Sequence, residues 1–503
     1  MAKSDRESNE KITREARDMT ENERQFPRVV IVGAGPGGLC MGVHLKRAGI
    51  EDFVILEKSG GVGGTWNHNR YPGCACDIPA PLYSYSFELN PNWSGLYPPQ
   101  PEILAYFEHC AEKFGLLPHC RFNDAARRAS WQEASAHWEV ELESGKVIEA
   151  EVLVSAMGMF NELNYPEIEG LDSFAGTAFH SARWNWEHDL EDKTVAVVGS
   201  AASAVQFVPE IAKTAGQVHL FQRTANWVLP KEDDPFPAEQ REYFVSEPKA
   251  AQAMRDEILG VTDSGGAGAF AEIRGEMEEA CLTNMDQVSD PEIKAKLVPD
   301  HPWGCKRPLL SSKYYPAFNR PNLELVTDRI DRITADSVIC ADGSERKVDT
   351  LVLATGFKTT QFLSAIEVVG RNGLNIEESW SDGAQAYKGV MTSGFPNLFM
   401  LYGPNTNGDS IITTIEYEVE YAIRQIFRIA DEGLAWIDVR PEKMEAYNVE
   451  LQEAIGKITP WQAGCGDYYR SPTGRVVTQW PHRMSDLKRE LEAADEAAYE
   501  VSA

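Results

Sequence analysis

The sequence predicts an α/β protein made of two Rossmann-like dinucleotide-binding domains with a helical insertion. Three observations predict it. A strand, glycine turn, helix and second strand run from Val29 to Glu57, and the same unit returns from Thr194 to Arg223. After each unit comes a β-meander that ends in an apolar strand and a glycine, at Gly158 and again at Gly356. A strand feeding a small-residue turn and a helix is half of a dinucleotide site. Its repetition implies two nucleotides, with redox chemistry at the junction between them.

Composition narrows the class. A length of 503 residues corresponds to roughly three domain-sized units. Lys+Arg 48 against Asp+Glu 77 leaves a net charge of −29, which opposes nonspecific binding to nucleic acid or anionic membrane. Phosphates must then be held by local dipoles and a few placed cations. No stretch approaches the ~18 continuous apolar residues of a membrane span, and the first residues lack the apolar run of a signal peptide. A soluble, cytoplasmic enzyme without metal is expected. The nine cysteines are scattered, and Cys74-Ala75-Cys76 lacks a second ligand pair, so both are read as ordinary thiols of a reducing compartment.

In chain order, residues 1–25 form a polar tail. The first nucleotide-binding part spans 26–173. Within Gly33-Ala34-Gly35-Pro36-Gly37-Gly38, Gly33 makes the tight turn, Gly35 admits a pyrophosphate, and Gly38 lets helix and strand pack closely. The phosphate sits on the helix N-terminus. Glu57, ending the strand from Phe53, is placed to accept hydrogen bonds from ribose hydroxyls. The loop from Gly63 to Asp77 is too rich in Gly and Pro for helix or strand, yet carries Trp66 and Tyr71. It either wraps a planar ligand or is a surface loop. Strands are expected at 131–132, 137–142 and 147–156.

A linker at 174–190 leads to the second nucleotide-binding part at 191–234, whose turn holds Gly199, Ser200, Ala201 and Ser203. Residues 235–302 read as a helical insertion, with helices over 238–259 and 269–285, serving as a lid or a decoration. The second part resumes at 303–356. Residues 357–503 return to the first domain, with a long amphipathic helix from about Ile411 to Glu432 aimed at the first cofactor.

The two units share one register: Glu57 follows Gly33, and Arg223 follows Gly199, by the same interval. An acid at that position takes a free 2′-hydroxyl, whereas an arginine with Thr224 beside it takes a 2′-phosphate. The first site is therefore read as FAD and the second as NADPH. Ala201 stands at the second glycine position, where its Cβ is expected to crowd the pyrophosphate and loosen NADPH.

With these residues in place, the chain resembles the type I Baeyer–Villiger monooxygenases from about Pro27 to Pro481. Phe174, Gly176, His180 and Trp184 match one signature of that family, with Asn185 replacing its usual closing Pro or Asp. Gly63, Gly64, Trp66, Tyr71, Pro72, Gly73 and Asp77 match a second. Related flavin-containing monooxygenases generally close the first signature with Phe or Tyr, so Trp184 favours the former. The resemblance implies a catalytic Arg307 beside the flavin, oriented by Asp77, and Lys306 near the NADPH phosphate. The candidate cofactor contacts are completed by Lys58, Gly64, Thr65, Trp66, Tyr83 and Gly356.

It further implies hydride transfer from NADPH to FAD, a C4a-peroxyflavin formed with O2, and conversion of a small ketone to an ester or lactone. No protein partner is implied. His180 is read as a link between domains and not as an acid–base catalyst. Oxygenation of a soft N or S atom, and an uncoupled NADPH-oxidising flavoprotein supported by Ala201, are the alternatives. Met157, Lys358 and Asp467-Tyr468 depart from the family pattern, so substrate preference does not carry over.

Overall fold

The computed structural model describes residues 26–232, 234–263, 266–408, 410–465 and 469–502. The expected polar tail and Asp467-Tyr468 lie outside the described residues. Short runs of Val, Ile and Leu, buried on both faces, form parallel strands covered by helices, the usual reading of such continuous apolar segments. The first set is β1 (Val29–Val32), α1 (Pro36–Arg47), β2 (Phe53–Glu57), α2 (Gln100–Lys113) and β3 (Cys120–Phe122). The meander follows as β4 (Ala126–Gln132), β5 (His137–Leu142) and β6 (Val147–Ala150), and β7 (Val152–Ser155) closes the half.

The second set begins with β8 (Thr177–His180), β9 (Thr194–Val198), α3 (Ala202–Ile211), β10 (Gln217–Phe221) and β11 (Val228–Leu229). Among the described residues four α-helices fill the insertion: α4 (Ala238–Ser246), α5 (Pro248–Thr262), α6 (Phe270–Met285) and α7 (Pro291–Leu297). Then come β12 (Leu309–Leu310), β13 (Leu323–Val326), the meander β14 (Ile330–Ile333), β15 (Ser337–Cys340) and β16 (Glu345–Lys347), and the closing strand β17 (Thr350–Leu353). The return contributes β18 (Glu367–Val369), β19 (Leu398–Met400) and α8 (Ile411–Glu432).

Two five-stranded parallel sheets result, ordered β19-β7-β1-β2-β3 and β13-β10-β9-β17-β8, so the internal repeat is real in three dimensions. The edge strand of the first comes from the return segment, that of the second from the signature-bearing linker. Thr177 to His180 pairs in register with Thr350 to Leu353. The helix expected over Ile411–Glu432 is present with those bounds, packs on α1, and ends at Gly433 in the left-handed conformation (φ +63°). Among the described residues no helix is long and apolar enough to cross a membrane.

Three expectations are corrected. The strand expected at 147–156 is two strands, because the chain leaves the antiparallel partner β5 at Ala150 and pairs with β1 from Val152. The helix expected over 238–259 breaks at Glu247–Pro248, where proline lacks a donor and holds its predecessor out of helical geometry (Glu247 φ −123°, ψ 78°). Helix α7 was not anticipated; Asp290 caps it by accepting from the backbone N–H groups of Glu292 and Ile293.

Candidate active site

Both nucleotide turns are built by the same constraint. Gly33 has φ +108° and donates to Leu56 O at 2.7 Å, and a Cβ there would lie 2.5 Å from Ala156 O. Gly199 has φ +103° and donates to Phe221 O at 3.0 Å, and a Cβ there would lie 2.5 Å from Ala354 O. Each turn is thus pressed onto its closing strand, where only glycine fits. Gly38 completes the first: a Cβ would sit 1.9 Å from Gly33 O. Gly35 and Ala201 occupy the N-cap positions of α1 and α3, and neither helix receives a side-chain cap. First-turn N–H groups left without caps suit an anionic pyrophosphate, so the residues present fit a dinucleotide at each turn. Ala201 has φ −88° and is exposed, so the turn itself does not require glycine there; any crowding falls on the ligand side alone.

Around the first turn, Glu57 is buried at the end of β2. It accepts from Ala34 N at 2.9 Å and from the Ser59 N–H and hydroxyl at 2.8 and 2.7 Å. It therefore fastens the glycine turn; Oε1 accepts both Ser59 bonds, while Oε2, which accepts only from Ala34, keeps a lone pair for a ribose hydroxyl. Gly64 (φ +53°) lies against Gly35: a Cβ on Gly64 would come 2.8 Å from the Gly35 Cα. Thr65–His68 form one helical turn, which corrects the expectation that this loop is too rich in Gly and Pro for helix, and Trp66 Nε1 donates to the Tyr83 hydroxyl at 2.9 Å. Lys58 donates to Asn161.

The loop from Gly63 to Asp77 is no free surface loop. It docks on α3 of the second half. Ala75 N donates to Gln206 Oε1 at 2.9 Å, and the Tyr71 ring meets Phe207 at 6.0 Å between centroids. Gly73, at φ +74°, brings its backbone so close that a Cβ would lie 2.9 Å from Gln206 O. Tyr71 also bonds to Ser203 and Cys74, and burial pushes its hydroxyl well above the usual phenol range. Burial likewise raises the Cys74 thiol to about 12 and Cys76 further, so both stay protonated, as ordinary thiols do.

At the end of this loop, Asp77 Oδ2 accepts from Arg307 Nη2 at 2.7 Å. Arg307 stands just before β12, which pairs in parallel with β11. Asn284 of α6 donates to both Val228 O and Ser311 O at 3.1 Å, so the insertion clamps the two-stranded ribbon that carries the arginine. Cys305, two positions earlier, is disulfide-bonded to Cys465, a pairing that the sequence reading did not anticipate. A second cation, Lys231, is 8% exposed, and its Nζ lies 5.1 Å from the Tyr97 ring centroid. Its charge and that of Arg307 both act on Cys76. Sequence reasoning missed Lys231, which follows the strand Val228–Leu229 after Pro230.

The second site carries an exposed Arg223 after β10. Ser200 Oγ donates to Thr224 O at 3.3 Å, and Asn226 to Ser200 O at 3.1 Å, folding this segment over the glycine turn. Lys306 enters on the Arg307 segment and helps to lower the pKa of His301, after burial. His180 is 2% exposed; Nε2 donates to Gly356 O at 3.1 Å and Nδ1 accepts from Ala182 N at 3.1 Å. Burial lowers its pKa to about 4, so it is a neutral strut between the linker and the closing turn.

A family described as Pyridine nucleotide-disulphide oxidoreductase matches residues 30–236. A Baeyer-Villiger monooxygenase of Streptomyces coelicolor is 39% identical over 96% of this chain and 94% of its own length. The crystal structure of OTEMO with FAD and NADP superposes with a TM-score of 0.85 at 25% identity, covering 96% of this chain and 100% of the other. Cyclohexanone monooxygenase from Rhodococcus sp. Phi1, bound to NADP+, gives 0.85 at 28% identity over 96% and 100%. Identity at this level along nearly the full length, on top of the two signatures and the doubled glycine turn, places the chain in the Baeyer–Villiger monooxygenase family.

Proposed function

We propose that this chain is an NADPH- and O2-dependent flavin monooxygenase that inserts one oxygen atom next to a ketone carbonyl, giving an ester or lactone. Arg307 and Asp77 are assigned to the reacting centre. The observation that carries the assignment is the Arg307–Asp77 ion pair, which joins the two nucleotide-binding halves. Bound FAD and NADPH supply hydride transfer and the activation of O2. The chain supplies the rest. Gly33, Gly35, Gly38 and Gly64 form one cradle with Glu57, and Gly199, Ser200, Ala201 and Ser203 form the other with Arg223, Thr224 and Lys306. Arg307 presents a permanent cation to oxygen atoms that gain negative charge during transfer, as an oxyanion stabiliser does. Asp77 holds the guanidinium plane in place, and Tyr71, Gln206 and the Gly73 backbone hold Asp77's loop on the second half. His180 moves no proton, since both ring nitrogens are engaged by backbone.

The test is product analysis. Purified enzyme is supplied with FAD, NADPH and a panel of linear and cyclic ketones, with gas chromatography for esters and a parallel peroxide assay. Ester in proportion to NADPH supports the proposal; NADPH oxidation yielding only peroxide overturns it.

A further inference from the structure

Seven of the nine cysteines are free and the other two are joined, Cys305 to Cys465. Their Cα atoms lie 6.2 Å apart across 160 positions, within the reach a disulfide requires. The position of the bond matters more than its existence. Cys305 is fully buried and precedes Lys306 and Arg307 directly. Cys465 is partly exposed and follows the helical turn Thr459–Gln462 in the return segment. Upstream of Arg307, Trp303 N donates to Glu278 at 3.0 Å and Cys305 N to Pro302 O at 3.2 Å, both contacts within the second half and its insertion. The disulfide is therefore the covalent tie between the arginine-bearing segment and the return segment, while Asp77 holds the guanidinium itself.

We propose that Cys305 and Cys465 form a peroxide-responsive modification site whose oxidised state holds Arg307 in its coupled position. This rests on the proposed function, whose unproductive turnover releases hydrogen peroxide in the site assigned to Arg307, two positions along the chain from Cys305. The partly exposed Cys465 thiolate attacks one peroxide oxygen; the O–O bond breaks, hydroxide leaves, and a sulfenic acid forms. The Cys305 thiolate then attacks that sulfur, expels the second hydroxide and closes the disulfide. Two thiols give up two protons and two electrons, and peroxide takes them up to become two waters. A dithiol reductant reverses the change by exchange. Oxidation thus tightens the arginine segment and lowers further peroxide release, a feedback in which the leaked product corrects the leak.

The holoenzyme is reduced with dithiothreitol, desalted, and divided into samples with and without hydrogen peroxide. Denaturation with a thiol-alkylating reagent should label nine cysteines in the reduced sample and seven in the oxidised one, with the peptides of Cys305 and Cys465 linked in a nonreducing digest. The reduced wild type should release several-fold more peroxide per NADPH than the oxidised form, with a ketone present. Cys465→Ala should stay at the reduced level in both samples, and Cys305→Ser repeats the measurement if that variant does not fold. Nine labelled cysteines after peroxide overturn the site. A crosslink without a change in peroxide per NADPH, or the same change in Cys465→Ala, overturns the regulatory role. Absence of ester from every sample overturns the proposed function instead, and the label count still decides the site.

Discussion

Arg307 Nη2 and Asp77 Oδ2 meet at 2.7 Å although 230 positions separate them in the chain, one from each half of the molecule. Both side chains are about one-third exposed, at 34% and 29%, and an ion pair so open to solvent adds little to stability. Its consequence is orientation: the Asp77 carboxylate fixes one terminal nitrogen of a planar guanidinium and so restricts how that group can turn.

Arg307→Ala should separate cofactor oxidation from ester formation. An anionic oxygen about 4 Å from a guanidinium gains roughly 4 kcal/mol at an effective dielectric of 20, before desolvation is subtracted. Half of that is a rate factor of about thirty. Hydride transfer needs no such cation, so the variant should still consume NADPH and release peroxide while ester falls by that factor or more. Asp77→Ala should move the same way to a smaller extent. Stopped-flow absorbance and gas chromatography check both, and full coupling in Arg307→Ala would remove the arginine from the reacting centre.

Coenzyme choice provides the second prediction. Arg223 is exposed beside the turn that Thr224 and Ser200 close, and each charge-assisted bond to a 2′-phosphate is worth about 1.5–3 kcal/mol. NADPH should be preferred over NADH by roughly tenfold or more, and Arg223→Ala should narrow the gap through the NADPH Michaelis constant. Because Ala201 adopts an ordinary extended backbone, Ala201→Gly tests the ligand side alone: NADPH should bind more tightly. Equal use of both coenzymes by the wild type rejects the arginine's role.

The glycine turns were legible because their requirement is local. A positive φ and a backbone oxygen 2.5 Å from an imagined Cβ leave one residue type. Arg307 and Asp77 were reached only through family resemblance, since nothing local ties positions 230 apart. The strand break after Ala150 was invisible because Val147 to Ala156 stays apolar enough for one strand, and only a change of partner divides it. The docking of the Gly63–Asp77 loop on α3, the Cys305–Cys465 bond and the burial of Lys231 are likewise products of tertiary contact. Pro248, by contrast, was a local signal for the helix break that the periodicity of the flanking residues masked.

His180 sets a pH dependence of stability. Its pKa is about 4 in the fold, lowered by burial, against about 6.5 when unfolded. Between those values the unfolded chain binds a proton that the folded one refuses, so stability falls as pH drops from 6.5 towards 4 and this contribution levels off below. The full shift corresponds to about 3 kcal/mol. His180→Gln should flatten this part of the melting-temperature profile while lowering stability at pH 8. His44 and His68, also near 4, keep a residual slope in the variant. An unchanged profile would show that His180 titrates normally.

Arg255 should be the most costly single truncation in the insertion. It is 4% exposed on α5 and donates to Pro81 O at 2.7 Å and Ser84 O at 3.0 Å. Its other terminal nitrogen reaches Glu416 of α8 at 3.3 Å, and Glu416 is itself buried, accepting otherwise from Ser86. Removing the arginine strands a carboxylate whose pKa burial already raises. Breaking one side of a buried pair typically costs about 3–5 kcal/mol, whereas replacing both sides by apolar groups is far milder. Arg255→Ala should therefore lower the melting temperature by several degrees, and Arg255→Met combined with Glu416→Leu should recover part of the loss. Differential scanning fluorimetry compares the three. If Arg255→Ala melts with the wild type, α5 is not anchored to the first half through this pair.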